Sequence, residues 1–162
     1  MGREIFEKIQ VFLKNKKIKY NYFEHEKITS SEHAAKIREK LIGEHWKKIL
    51  KRGAKAMIIK RKDEYFQLIL PGTSKIDFKK IKKIIGGQPK LARTEEVVKV
   101  TSCVPNSVPP FGNIFGLTVY VDESLLKNKF ITFNAGALDI SIDIKTKDWL
   151  DAVQPIIENF TI

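Results

Sequence analysis

The chain predicts an α+β fold: one curved sheet, mixed but mostly antiparallel, of six or more short strands with helices packed around it. Three observations carry this. Segments whose apolar residues recur at three- and four-residue steps are interspersed with short β-rich runs. Leu138, Ile140, Ile142 and Ile144 alternate strictly with Asp139, Ser141 and Asp143, the pattern of a half-buried antiparallel strand. Finally, Thr101-Ser-Cys-Val-Pro-Asn-Ser-Val-Pro-Pro-Phe-Gly112 holds Pro105, Pro109 and Pro110, and is neither helix interior nor central strand, because proline fixes φ and removes a donor. It is a shaped loop, where a ligand would meet the scaffold.

The elements follow in order. Arg3 to Lys14 is an amphipathic helix built on Ile5, Phe6, Ile9, Phe12 and Leu13. Ile18 to Phe23 is a short strand ending in Glu24, His25 and Glu26. Thr29-Ser-Ser-Glu32 has capping-box spacing, so a helix runs from there to about Lys40. Ile42 to Arg52 is a further basic helical turn or two, stopped by Gly53. Ala54 to Ile59 and Tyr65 to Leu70 form a hairpin across a charged turn. Asp77 caps a helix through Ile85, and Gly86-Gly87 ends it. Leu91-Ala92 is briefly extended, and Thr94 with Glu95 and Glu96 opens a helix that feeds the proline loop. Leu117 to Asp122, Phe130 to Phe133 and Leu138 to Ile144 are strands. Thr146 and Asp148 open the last helix, which Pro155 ends.

Composition bounds the function. At 162 residues, 43% hydrophobic and 30% charged, the chain predicts one soluble globular domain over residues 1–162. It has neither an apolar signal-peptide segment nor a membrane-spanning run, so a cytoplasmic location and no membrane partner are expected. The single cysteine, Cys103, excludes an internal disulfide. Thirty Lys+Arg against nineteen Asp+Glu give a formal charge of +11, the electrostatic signature of a polyanion binder, with nucleic acid first among partners.

Several residues are candidates for chemistry. Lys55 opens an apolar strand and either meets an anion in a pocket or snorkels to water. Cys103 is either a nucleophile or an inert thiol. His25, His33 and His45 lack metal-ligand spacing, so no metal is expected. Asn134-Ala-Gly136 is either a tight turn or a place where backbone N–H groups approach a ligand. No phosphate-binding glycine loop, paired-carboxylate signature or nucleophile elbow is present.

Taken together, Phe23-Glu-His25, Thr29-Ser-Ser-Glu-His-Ala-Ala35, Gly53-Ala-Lys-Ala-Met-Ile-Ile59, Leu70-Pro-Gly72, Asp77-Phe-Lys-Lys80, Val108-Pro-Pro-Phe-Gly112, Val119-Tyr-Val-Asp122 and Phe133-Asn-Ala-Gly136 resemble the YbaK/prolyl-tRNA synthetase-associated domain family over nearly the whole chain. The resemblance implies a barrel-like mixed sheet closing around a small pocket, and hydrolysis of the ester of a mischarged tRNA. It makes Lys55 the functionally essential lysine. It places Val108, Pro109, Phe111 and Gly112 in a pocket-forming loop, and Asn134, Ala135 and Gly136 in a small-residue loop facing the substrate. Phe23, His25 and Asp139 join them as substrate-binding positions.

The implied substrate is the acceptor end of tRNA-Pro carrying alanine, cysteine or serine. Prolyl-tRNA synthetase is the implied associate, and no cofactor is needed. Ser102 and Asn106 stand where many relatives have glycine, and Ala137 replaces another, which bears on specificity. Ile42 to Arg52 is more basic than the family pattern, as an added tRNA contact would be. With no clear protein nucleophile, water or a substrate hydroxyl is expected to attack, and Lys55 to hold the 3′-terminal nucleotide. Two alternatives remain: a non-catalytic tRNA-binding or synthetase-associated module, and a hydrolase using Cys103.

Overall fold

The computed structural model describes residues 3–162. Helix α1 (Glu4–Asn15) buries Ile5, Phe6, Ile9 and Leu13, the face its periodicity predicts. Strand β1 (Asn21–Glu24) begins three residues later than expected. Helix α2 (Ser31–Ile42) is capped by Ser30, whose side chain accepts from the His33 amide. Thr29 therefore lies one residue outside the cap, and His33 takes the place expected for Glu32; the Thr29 amide donates to His33 Nδ1 at 3.0 Å. Helix α3 (Trp46–Lys51) follows, then strands β2 (Ala54–Arg61) and β3 (Glu64–Pro71).

Helix α4 (Phe78–Ile85) carries the expected Asp77 cap. Strand β4 (Lys90–Leu91), helix α5 (Thr94–Thr101), strands β5 (Thr118–Asp122), β6 (Phe130–Asn134) and β7 (Ile140–Lys145), helix α6 (Thr146–Val153) and strand β8 (Ile156–Glu158) complete the chain.

The strands form two sheets where the sequence predicts one. The larger has the order β4-β2-β3-β5-β8 and the smaller β1-β7-β6. A parallel bridge between Gly53 and Thr132 joins them, and the sheets do not close into a barrel. Pairing is mixed and mostly antiparallel, with β3/β5 and β5/β8 parallel. The larger sheet is covered on both sides. One core cluster joins Ile58, Ile69 and Val121 to the smaller sheet, α1 and α6, with Phe111 and Trp149 fully buried within it. The other packs Ile59, Leu68 and Leu70 under α4 and Phe160. Double coverage explains why β3 is apolar almost throughout, as expected of a strand with a parallel partner.

Strand β8 was not foreseen, since Ile156-Ile-Glu158 is too short to show periodicity. Its register continues into Asp122, whose Oδ1 accepts from the amides of Phe160 at 2.8 Å and Thr161 at 3.2 Å. A second departure concerns β7. Its polar face is expected in water, yet Ser141 and Asp143 are buried along with the isoleucines. Arginines reach them from the α2–α3 side, as the site shows.

Candidate active site

A cavity of about 140 Å³ opens where α2 crosses the start of β2. The first turns of α2 contribute Ser30, Ser31, Ala34, Ala35 and Arg38, and β2 contributes Lys55, Ala56 and Met57. Asn106, Val108 and Asn134 close the far wall. Backbone proximity makes the opening. Ser31 Oγ donates to the Gly72 carbonyl at 3.3 Å, and a Cβ on Gly72 would meet that Oγ at 2.7 Å, so a side chain there would displace the serine hydroxyl.

The far wall is rigid because buried side chains hold the proline loop from behind. Gln67, fully buried on β3, donates to the Pro109 carbonyl at 2.9 Å and accepts from the Gly112 amide at 2.7 Å. Trp149 Nε1 donates to the Pro110 carbonyl at 2.9 Å. Asn134 Nδ2 donates to the Asn106 carbonyl at 2.6 Å. Asn106 itself sits at φ 73°, a conformation asparagine tolerates better than most residues.

Arg38 forms the floor. Only 5% exposed, it donates from Nη2 to Asn134 Oδ1 and from Nε to Ser141 Oγ, both at 2.9 Å. It forms no ion pair with a carboxylate among the described residues. Burial, offset by Asp143 and reinforced by Arg52, draws its guanidinium down to about 10, so it stays charged at neutral pH. Behind it, Ser141 Oγ lies 2.7 Å from His25 Nε2, and His25 Nδ1 lies 2.7 Å from the Glu26 carbonyl. A carbonyl only accepts, so Nδ1 carries the proton and Nε2 accepts from Ser141. Burial pushes the His25 imidazole below its ordinary range, in keeping with this neutral form. Beneath, Arg52 pairs with Asp143 and with Glu44.

Lys55 lies at the cavity edge, its Nζ donating to the Ser74 carbonyl at 2.6 Å. Burial and then the charge of Lys75 push its ammonium down. With Arg38 it makes the wall cationic, and no carboxylate lines the cavity. Such a wall suits a ligand rich in acceptor oxygens, a phosphate or an ester carbonyl.

Of the residues nominated from sequence, Lys55, Val108 and Asn134 line the cavity together. His25 stands two hydrogen bonds behind Arg38, through Ser141, and Phe23 pairs with Ser141 in the β1/β7 register. Pro109, Phe111 and Gly112 are buried behind the wall they shape, and Ala135 lies in the core. Gly136, at φ +90°, backs onto Ile5, where a Cβ would come within 2.8 Å of the side chain. Asp139 faces outward, 3.9 Å from Arg3. Cys103 is buried away from the cavity, and burial pushes its thiol up. No group of three or more His, Cys, Asp or Glu among the described residues could hold a metal ion.

Two contributors escaped sequence reasoning. Arg38 stands three and four residues after Ala35 and Ala34, on the thin apolar face of α2, and an arginine there is the available signal. Gln67, a lone polar residue inside an apolar strand, was another.

An α+β scaffold that holds a small cationic pocket between rigid loops defines a domain for an oxygen-rich ligand. Which ligand follows from relatives. A family model described as the aminoacyl-tRNA editing domain matches residues 25–152. The multifunctional Ser/Thr-tRNA deacylase ProXp-y of Escherichia coli strain K12 is 34% identical over 143 residues, 84% of this chain and 80% of that protein. The fold recurs in a candidate trans-editing enzyme for prolyl tRNA synthetase, at TM-score 0.80 and 19% identity over 98% of each chain. It recurs again in a hypothetical protein, at TM-score 0.81 and 19% identity over 96% of this chain and 99% of that one.

This chain belongs to the aminoacyl-tRNA editing domain family. It is an aminoacyl-tRNA deacylase, which hydrolyses the ester between amino acid and tRNA.

Proposed function

We propose that residues 1–162 act as one domain that removes a small amino acid from mischarged tRNA, serine before alanine or cysteine, in the cytoplasm. The observation that carries the choice is the make-up of the cavity. Alanines at 34, 35 and 56 leave room for a small side chain, while Ser31, Asn134 and Arg38 offer polar partners. A wall that hydrogen-bonds a hydroxyl discriminates against analogues lacking it far better than an apolar wall separates side chains differing by a methylene. The named activity of the Escherichia coli relative, on Ser/Thr-tRNA, supports the same order. The family resemblance supports tRNA-Pro as carrier and prolyl-tRNA synthetase as the source of the error.

In this reading water attacks the ester carbonyl, the bond to the ribose oxygen breaks, and that oxygen takes the proton. The products are free amino acid and tRNA ending in a hydroxyl. Lys55 releases the Ser74 carbonyl and donates to an oxygen of the terminal nucleotide, binding rather than abstracting a proton. The rigid Asn106–Val108 wall limits motion of the ester, so the rate gain comes from positioning. Val108 and Asn134 touch substrate. Pro109, Phe111, Gly112, Ala135 and Gly136 shape the wall, and Phe23, His25 and Asp139 support it.

The test is a deacylation time course on tRNA-Pro charged with serine, alanine, cysteine or proline, and on seryl- and threonyl-tRNA of the matching carriers. Loss of seryl esters with proline spared is the expected pattern. Equal loss of all esters would defeat the specificity, and persistence of all of them with tRNA still bound would leave a binding module.

A further inference from the structure

Helix α3 lies over the cavity and turns its other side to solvent. Ile49 and Leu50 line the pocket, whereas Lys47, Lys48 and Lys51 are exposed. Among the described residues none of these three lysines has a carboxylate within ion-pair distance. From His45 to Lys62 the chain holds no Asp or Glu. Trp46 stands in the midst of this charge. Its amide is fixed by Glu39 Oε2 at 2.8 Å, and the His45 ring stacks beside it at 6.1 Å and 25°. Lys36 Nζ and Lys47 Nζ lie 4.9 and 5.8 Å from the indole ring.

A partly exposed indole bordered by Lys36, itself paired with Glu32 at 3.0 Å, and by Lys47, on a helix whose three exposed lysines have no carboxylate partner among the described residues, is the combination that binds single-stranded nucleic acid: bases stack on the aromatic face while ammonium groups follow the phosphates. Position makes the match specific. The lysine face is about one helix diameter, roughly 10 Å, from the cavity that α3 roofs. A strand whose last nucleotide carries the ester in that cavity has its preceding nucleotides in reach. The other basic groove, with Lys17, Lys19, Lys145, Tyr20 and Phe130, shares no lining residue with the cavity, so a strand bound there is not placed beside the ester.

We propose that α3 is the docking surface for the unpaired 3′ end of the tRNA, with one base stacked on Trp46 and the neighbouring phosphates on Lys47, Lys48 and Lys51. The proposal rests on the deacylase reading for its substrate, but its test does not depend on turnover. When a base stacks, it displaces one of the two lysines from the indole and frees that ammonium for a phosphate.

Tryptophan fluorescence tests this directly. The chain has two tryptophans; Trp149 is fully buried with its N–H bonded to Pro110, so quenching by a short oligonucleotide of 3′-terminal tRNA sequence reports on Trp46. The expected result is saturable quenching in wild type that is absent in Trp46→Leu, with uncharged tRNA binding at least tenfold weaker in that variant. Lys47→Ala/Lys48→Ala/Lys51→Ala is expected to bind tRNA at least tenfold more weakly and to lower the slope of log affinity against log salt by about 2, at roughly 0.7 per single-strand phosphate.

Hydrolysis of a seryl ester of adenosine alone should match wild type in both variants. Oligonucleotide binding without quenching, unchanged tRNA affinity in the lysine variant, or failure to bind tRNA at all would overturn the proposal. Equal loss on the small ester and on tRNA would also overturn it, since α3 would then serve the pocket alone. Binding and quenching without hydrolysis of any ester would instead defeat the deacylase reading and leave the docking surface standing.

Discussion

Arg38 Nη2 donates to Asn134 Oδ1 at 2.9 Å, tying the middle of α2 to the end of β6 across the floor of the cavity. The same amide donates from Nδ2 to the Asn106 carbonyl, so one guanidinium sets the position of a second wall. Arg38→Gln removes the charge and cannot reach both Asn134 and Ser141. Leaving buried polar groups without partners costs about 1–3 kcal/mol. Urea unfolding should register that loss, and seryl-ester hydrolysis should fall by at least about tenfold, as expected for a misplaced wall. Full activity in a folded Arg38→Gln protein would show that the floor is not part of the working geometry.

Lys55 differs because among the described residues its hydrogen-bond partner is a carbonyl on an adjacent loop. Lys55→Ala should therefore lower the free energy of unfolding by no more than about 1 kcal/mol, the net value of one such bond. Deacylation is expected to drop about 100-fold or more, the scale of losing a charged donor in a shielded site. A variant that turns over normally would remove Lys55 from the chemistry.

Cys103 offers a negative test. Its Sγ contacts the Thr101 carbonyl at 3.4 Å in the interior, and its thiol is held protonated by burial. Cys103→Ser should hydrolyse within about twofold of wild type while losing about 1 kcal/mol of stability, a usual cost for a buried substitution. Abolished activity, together with inhibition by an alkylating reagent, would restore the nucleophile hypothesis.

Glu96 sets an acid-dependent element of stability. Lys60 Nζ at 2.6 Å, the Arg93 amide at 3.0 Å and Tyr65 Oη at 2.8 Å all donate to its carboxylate. The hydrogen bond from Lys60 is the strongest of the influences that hold this carboxyl well below the usual range. The group takes up a proton on unfolding once pH drops below about 4.3, the ordinary glutamate value. Its contribution is therefore complete above that pH and is lost as pH falls toward the folded value. Glu96→Gln should melt lower than wild type at neutral pH, and the gap should narrow at about pH 3. A gap that stayed constant would mean that packing, not charge, links α5 to the hairpin.

Most elements were legible because each rests on local physics, and the family was legible through the resemblance of its motifs. The β2–β3 hairpin announces itself by two apolar runs across a charged turn, and α4 by an aspartate before a 3.6-residue period. The two-sheet arrangement was not legible, because the Gly53–Thr132 bridge joins residues far apart in the chain and leaves no periodic trace. Asp143 misled for a related reason. Alternation says only that one face differs from the other, and the polar face became interior once Arg38 on α2 and Arg52 just after α3 arrived to satisfy it.

By itself, then, the sequence determined the α+β class, the shaped proline loop and the basic character of Ile42–Arg52, all of which depend on residue type and near-neighbour spacing, and the family by resemblance of its motifs. Only the tertiary structure decided which nominated residues share a cavity. Lys55, Val108 and Asn134 come from three separate segments, and their meeting depends on how α2 packs across β2. It also decided that Arg38, unremarkable in sequence, is a buried cation without an ion-pair partner among the described residues: a long polar side chain shows its role only when its surroundings remove the water.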